Sequence, residues 1–224
     1  MGLDRYLFTR RAVLYYVGKF IPTMIGIGMG LAACVSRMVV PVSPILVNGV
    51  WHPSGVEAEP LPKEAKIETT DHEAVVVVGQ DALLLRKATQ LEMVSNPLRI
   101  EQIALLHGGV LSVFGKGSRV MKTPNAVIGV RGTGLYVEVE PTRTYVCLCY
   151  GTIELSSRSD PEQRQTLQTH HHEAPRFVAG KDVSHPIQSA PMINHTDAEL
   201  IMLESLVGRV PPFVTDRQHT GSRY

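Results

Sequence analysis

The sequence predicts a mainly β protein: short antiparallel strands stacked in a roll or sandwich, with a signal helix at the N-terminus and one C-terminal α-helix. Three observations carry this. From about residue 67 to 181, short apolar or alternating runs are separated by glycine turns, the grammar of strands. No window in that span sustains a helical period. Near the end of the chain one stretch does, and it follows a capping signal.

The N-terminus reads as an address. Arg10-Arg11 is followed by Ala12-Val13-Leu14-Tyr15, and then by a Gly- and Met-rich apolar stretch from Phe20 to Ala33. Two adjacent arginines before apolar residues resemble a twin-arginine export signal. The run is too short for a full bilayer span and suits a signal core. Leu31-Ala32-Ala33-Cys34 looks like a bacterial lipobox, in which Cys34 becomes the lipidated first residue of the mature chain. Several acyl chains on that cysteine give stable anchoring. Residues 1–34 are therefore expected to form an export signal that lies outside the folded domain, with Cys34 kept as the lipidated end of the mature chain. The competing reading is an uncleaved membrane helix.

Residues 35–66 read as a tether. Pro41, Pro44, Pro53, Pro60 and Pro62 fix φ and remove donors, so little regular structure is expected. The apolar patch from Val39 to Trp51 is expected at most to add one strand. The β domain then runs over 67–181. Residues 182–213 are expected to be a linker and a helix over about 196–207. Thr196 and Glu199 have the spacing of a capping box, and Gly208 is a stop signal. Leu200, Leu203, Leu206 and Val207 fall on one face. Residues 214–224 are polar and expected to fray.

Bulk composition narrows the function. Over 224 residues, 44% are hydrophobic, 19% are charged and the net charge is +1. That is enough apolar surface for a core, and it gives no electrostatic footprint for nucleic acid. No nucleophile elbow, zinc-protease helix or phosphate loop occurs, so no catalytic residue and no enzyme activity are expected.

The stretch "RVMKTPNAVIGVRGTGLYVEVEPTRTYVCLCYGTIEL" resembles the core of the FecR-type domain. Thr123, Pro124, Ala126, Gly129, Arg131, Gly132 and Thr133 hold the family's TP-x-A-x-x-G-x-RGT pattern. Gly151, Ile153 and Leu155 match its closing turn and strand. Upstream, Gly79-Gln80-Asp81 with Leu83 and Leu85, and Gly108-Gly109-Val110, match more weakly. The resemblance covers roughly 67–157 and implies an envelope protein of regulatory type. FecR itself passes an outer-membrane signal to a sigma factor through a cytoplasmic segment. Only nine residues precede Arg10 here, so the β domain is expected to carry over and sigma-factor control is not expected to.

Three residue groups invite sharper expectations. Gly129 and Gly132 permit a bend, and Arg131 is expected to serve it by donating to carbonyls left over at the kink; a partner or anion contact is the alternative. Cys147 and Cys149 share a face if extended, with Cα atoms ~6.5–7 Å apart, at the edge of disulfide reach. They read as small buried apolar groups, with a redox pair or soft-metal site as alternatives. His170-His171-His172-Glu173 is the cluster with metal-ligand chemistry. In a strand His170 and His172 share a face, and Glu173, His185 or His107 are candidate third ligands. A polar strand edge is the plainer reading.

Together these give a non-catalytic, exported envelope protein, lipid-anchored on the periplasmic side with the outer membrane favoured. It is expected to work by protein–protein binding or signal relay, with no nucleic acid partner and no cofactor. The alternatives are a periplasmic metal-binding protein using His170 and His172, and a structural scaffold of an envelope assembly.

Overall fold

The computed structural model describes residues 44–52, 61–181 and 183–215. Arg10, Arg11, Cys34 and the tail from 216 lie outside the described residues. Among the described residues no helix is long and apolar enough to cross a membrane.

The strands are β1 (Ile45–Val47), β2 (Val50–His52), β3 (Glu64–Glu68), β4 (Ala74–Val78), β5 (Asp81–Leu85), β6 (Gln90–Asn96) and β7 (Arg99–Val113). They continue with β8 (Ser118–Lys122), β9 (Ala126–Arg131), β10 (Gly134–Val139), β11 (Arg143–Ser157), β12 (Arg164–Thr169), β13 (Arg176–Ala179) and β14 (Ile187–Ser189). Helix α1 (Asp197–Leu206) follows, and one further helical turn over 212–215 ends the described residues.

Two of these strands are long because each belongs to two sheets. The first half of β7 pairs with β6 and β8, and its second half with β5 and β10. The first half of β11 pairs with β10 and β13, and its second half with β9 and β12. One sheet therefore runs β4-β5-β7-β10-β11-β13-β14, and the other β2-β1-β3-β6-β7-β8-β9-β11-β12. All pairings are antiparallel except β7 with β8. Strands that switch sheets make the corners of such sandwiches.

The alternation of burial separates the two sheets. In the second, strands such as β8 alternate buried and exposed, so one face meets the core and the other meets solvent. We call it the open sheet. In the first, β4 and β5 are buried at every position. We call it the covered sheet. The main core lies between the sheets and includes Ile67, Leu83, Leu105, Ile128, Val137, Leu148 and Leu155. A second core lies on the far face of the covered sheet, where Leu84, Leu111, Tyr136 and Tyr145 pack against Leu200, Leu203 and Phe213 from the C-terminal segment.

The stretch around Arg131 lies at a crossing between sheets. β9 belongs to the open sheet and β10 to the covered one, so the chain turns at Gly132-Thr133. Gly132 has φ 62°, a left-handed value that favours glycine. Facing it, β11 crosses at Gly151, whose φ is 98° and where a Cβ would lie 2.7 Å from Thr133 Cγ2. Gly129 needs no such freedom; a Cβ there would make ordinary contact with Glu154.

Arg131 does not serve the crossing. Its guanidinium reaches Glu154 at 3.0 Å, and both side chains are about two-thirds exposed, at 67% and 64%. The strand alternation that buries Ile128 and Val130 sends Arg131 to solvent. Arg119, by contrast, does satisfy carbonyls at a bend. It donates to the carbonyls of Gly115 and Gly117, both at 2.9 Å, and pairs with fully buried Asp81 at 2.8 Å. Asp81 also accepts from the backbone N–H groups of Ile100 and Gly115. The Thr-Pro turn has its own logic. The Thr123 hydroxyl accepts from the N–H of Ala126 at 2.9 Å and that of Asn125 at 3.2 Å, closing the turn from β8 into β9.

Within the segment expected to be a tether, β1 and β2 form a hairpin and β3 begins. Asn48 and Gly49 take φ of 51° and 80°, the conformation of a tight hairpin turn, and Ile45 and Val47 are buried. The prolines lie outside these strands.

Candidate functional site

The far face of the covered sheet brings together groups that are distant in sequence. Cys147 and Cys149 stand on β11. Tyr136 opposes Cys147, but pairing then skips a residue, from Leu135 with Leu148 to Gly134 with Tyr150. Cys149 is thus the extra residue of a bulge. Bulges re-aim side chains, and here Tyr145, Cys147, Cys149 and Tyr150 all point into the second core.

His172 arrives from the bend after β12. Thr169 anchors the end of that strand by donating to the Leu148 carbonyl at 3.0 Å. The backbone N–H of His172 donates to the Cys149 carbonyl at 3.0 Å. His172 itself has φ 58°, an uncommon value that turns the side chain inward. His195 arrives from the other side, just before α1. The Tyr145 hydroxyl donates to the Pro191 carbonyl and accepts from the Ile193 N–H, which fixes the approach. The His195 ring stacks on Tyr136 with centroids 4.8 Å apart.

The four donor atoms, two sulfurs and two ring nitrogens, all lie within 4.8 Å of one another. Cys147 Sγ is 3.5 Å from His172 Nδ1, which is 3.1 Å from His195 Nε2. Both cysteines are free and fully buried. His172 Nε2 meets the Asp197 carboxylate at 3.1 Å, and His195 Nδ1 meets the Ile193 carbonyl at 2.7 Å. An acceptor at those nitrogens requires them to carry the proton. In the neutral rings, His172 Nδ1 and His195 Nε2 then face the sulfurs without a proton and can act as donors to a cation.

The electrostatics are strongly coupled. Cys149 first, then His172 and His195, pull the Cys147 thiol far down, while burial pushes Cys149 up. Burial opposes charge on His172, but Cys147 and then Asp197 outweigh it and raise the imidazole above its usual range. Burial likewise opposes charge on Asp197, and His171 and His172 outweigh it and hold the carboxylate low.

This geometry admits two kinds of chemistry. Cys147, His172 and Asp197 line up as a nucleophile, a base and its orienting group. Cys147 is fully buried in the second core, together with Leu200, Leu203 and Phe213 of the C-terminal segment. The other chemistry is ligation, for which two thiols and two imidazoles around one point are a tetrahedral donor set.

The histidine run divides. His172 joins the cluster. His171 stacks on Phe213 and meets Asp197 at 2.8 Å. His170 is exposed, and its backbone N–H is taken by Glu173. The run follows β12 as a bend rather than continuing the strand, so the shared face expected for His170 and His172 does not form. His107 and His185 are exposed and belong to neither group of candidate ligands found among the described residues. His195 and Asp197 carry no signal in the sequence beyond their place at a helix start, because the ligands come from three separate segments.

The comparisons fall on the β framework. A family model described as FecR protein matches residues 65–154. No curated protein matches the chain. Two crystal structures of a "putative anti-sigma factor" from Parabacteroides distasonis are similar, at 14% and 15% identity with TM-scores of 0.46 and 0.45. The similarity covers 57% and 56% of this chain and 59% and 58% of those, so this chain spans less than two thirds of their length. Cys147 and Cys149 lie inside the matched span, whereas His172 and His195 lie beyond it. The Thr123 turn, the Gly132 crossing and most of the inter-sheet core fall between the limits of this FecR match.

Proposed function

We propose that the protein is an exported envelope protein, anchored through a lipid on Cys34, whose FecR-type domain relays a signal or binds a protein partner without catalysing a reaction. The FecR match over 65–154 is the observation that carries a signalling-related, non-catalytic role. Export rests on Arg10-Arg11 and the apolar run behind them, and anchoring on Ala32-Ala33-Cys34. A binding role draws support from the open sheet. Among the described residues its end strand β2 pairs with β1 alone, and Val50 and Trp51 there are exposed. An exposed edge accepts an extended strand from a partner.

In-cell photo-cross-linking tests this. A cross-linker at Trp51 is expected to capture another envelope protein, and one at Leu98, in the turn between β6 and β7, is not. Absence of any adduct from the edge contradicts the binding role. Palmitate labelling tests the anchor, and label that persists in Cys34→Ala refutes it.

A further inference from the structure

We propose that Cys147, Cys149, His172 and His195 form a tetrahedral site for one divalent, thiophilic ion of the zinc type, and that this ion fastens the C-terminal segment to the covered sheet.

Distances argue first. A zinc ion with Zn–S of ~2.3 Å and Zn–N of ~2.0 Å in tetrahedral geometry separates two nitrogens by ~3.3 Å, and a nitrogen from a sulfur by ~3.5 Å. The two imidazole nitrogens stand 3.1 Å apart, and Cys147 Sγ stands 3.5 Å from His172 Nδ1. Those two separations are the ones that ligands of a single ion would have, and all four donor atoms lie within 4.8 Å of one another.

The outer hydrogen bonds argue second. A ligating histidine normally donates its other N–H to a carboxylate or carbonyl, which sets the tautomer and ring plane. Asp197 does this for His172 and the Ile193 carbonyl for His195. In that tautomer the two ring nitrogens face each other at 3.1 Å, a gap that a bound cation would bridge in place of a proton.

Charge and softness choose the ion. Two thiolates neutralise a divalent cation, so a buried site ends with no net charge on its ion and sulfurs, as burial demands. A monovalent ion would leave one negative charge buried. Calcium and magnesium want oxygen ligands, whereas sulfur and imidazole suit zinc.

The ion would link parts of the chain that sequence keeps apart. Two ligands come from β11, one from the bend after β12, and one from the residue just before the N-cap of α1. His195 is the ligand that belongs to the C-terminal segment. An ion held there joins that segment to the covered sheet at its N-terminal end.

The test uses the full chain with Cys34→Ser, so that thiolate signals report only Cys147 and Cys149. The reduced protein is titrated with Co2+ alone and with Zn2+ alone. One equivalent of Co2+ is expected to give tetrahedral visible bands and a thiolate charge-transfer band, and one equivalent of Zn2+ to abolish both. Cys149→Ser and His195→Ala are expected to lose stoichiometric binding. Asp197→Asn is expected to weaken it ~10–100-fold, as loss of an outer hydrogen bond does. His170→Ala is expected to bind normally. The cobalt spectrum of the otherwise unaltered chain does not depend on any variant folding. Failure to bind one equivalent, binding without the thiolate band, or loss in His170→Ala equal to that in His195→Ala would each overturn the site. Limited proteolysis reads the fastening: the C-terminal segment should be cut at least ~10-fold faster without the ion, and equal rates in a zinc-binding protein would overturn that part alone.

Discussion

At the scale of single residues, two arginines exchange the roles that their surroundings in the sequence suggest. Arg131 sits between glycines in an apolar run and reads as the group that serves a bend. It is instead a solvent-facing partner of Glu154, and exposed ion pairs contribute ~0.2–1 kcal/mol. Arg131→Ala is expected to lower stability by no more than ~1 kcal/mol in denaturant titration. Arg119 has no such frame in the sequence, yet it is buried against Asp81 and two carbonyls. Removing one partner of a buried pair strands the other, so Asp81→Ala is expected to cost ~3–5 kcal/mol. The difference lies in register. Strand alternation decides which arginine faces the core, and a run broken by glycines hides the phase of that alternation. The thiols were easier to place, since Cys147 and Cys149 share a face in any extended strand.

At the scale of elements, α1 shows what local signals reveal. Thr196 and Glu199 form a reciprocal capping box, as their spacing implies. Glu199 also binds Arg86, which in turn binds Glu73 and the Asn194 carbonyl. Burial opposes charge on Glu199, but Arg86 and then Thr196 outweigh it and hold the carboxylate below its usual 4.5. A depressed carboxylate contributes stability that is fully present above the unfolded value and is lost as pH falls through the folded one. Stability should therefore fall as pH drops below about 4.5, and Glu199→Gln should flatten that part of the stability–pH curve. On the buried face, Leu203 is fully enclosed by the second core. Leu203→Ala is expected to cost ~2–5 kcal/mol, read from thermal or denaturant unfolding. The β1–β2 hairpin was less visible. Its Asn-Gly turn is a hairpin signal, but the surrounding prolines dominate the composition of that segment.

At the scale of the whole molecule, the sequence exposes the framework better than the site. Glycine turns, alternating runs and the Thr-Pro motif are local, so mainly β architecture and the FecR resemblance can be read from neighbouring residues. That β7 and β11 each serve two sheets depends on pairing over long range, which no window displays. The donor cluster is more hidden still, because His195 stands 46 residues beyond Cys149 and meets it only when the C-terminal segment folds back. His172 lay within a visible histidine run, but the bend after β12 separates it from His170. If an ion closes this cluster, it stabilises the folded chain by mass action. Free ion at 100-fold its dissociation constant adds ~2.7 kcal/mol, so chelation is expected to lower the melting temperature measurably. The most direct measurement is X-ray absorption at the zinc edge of the zinc-loaded chain carrying Cys34→Ser. A shell of two sulfurs at ~2.3 Å and two nitrogens at ~2.0 Å is the predicted result. A shell of nitrogen and oxygen alone would contradict the assignment of Cys147, Cys149, His172 and His195.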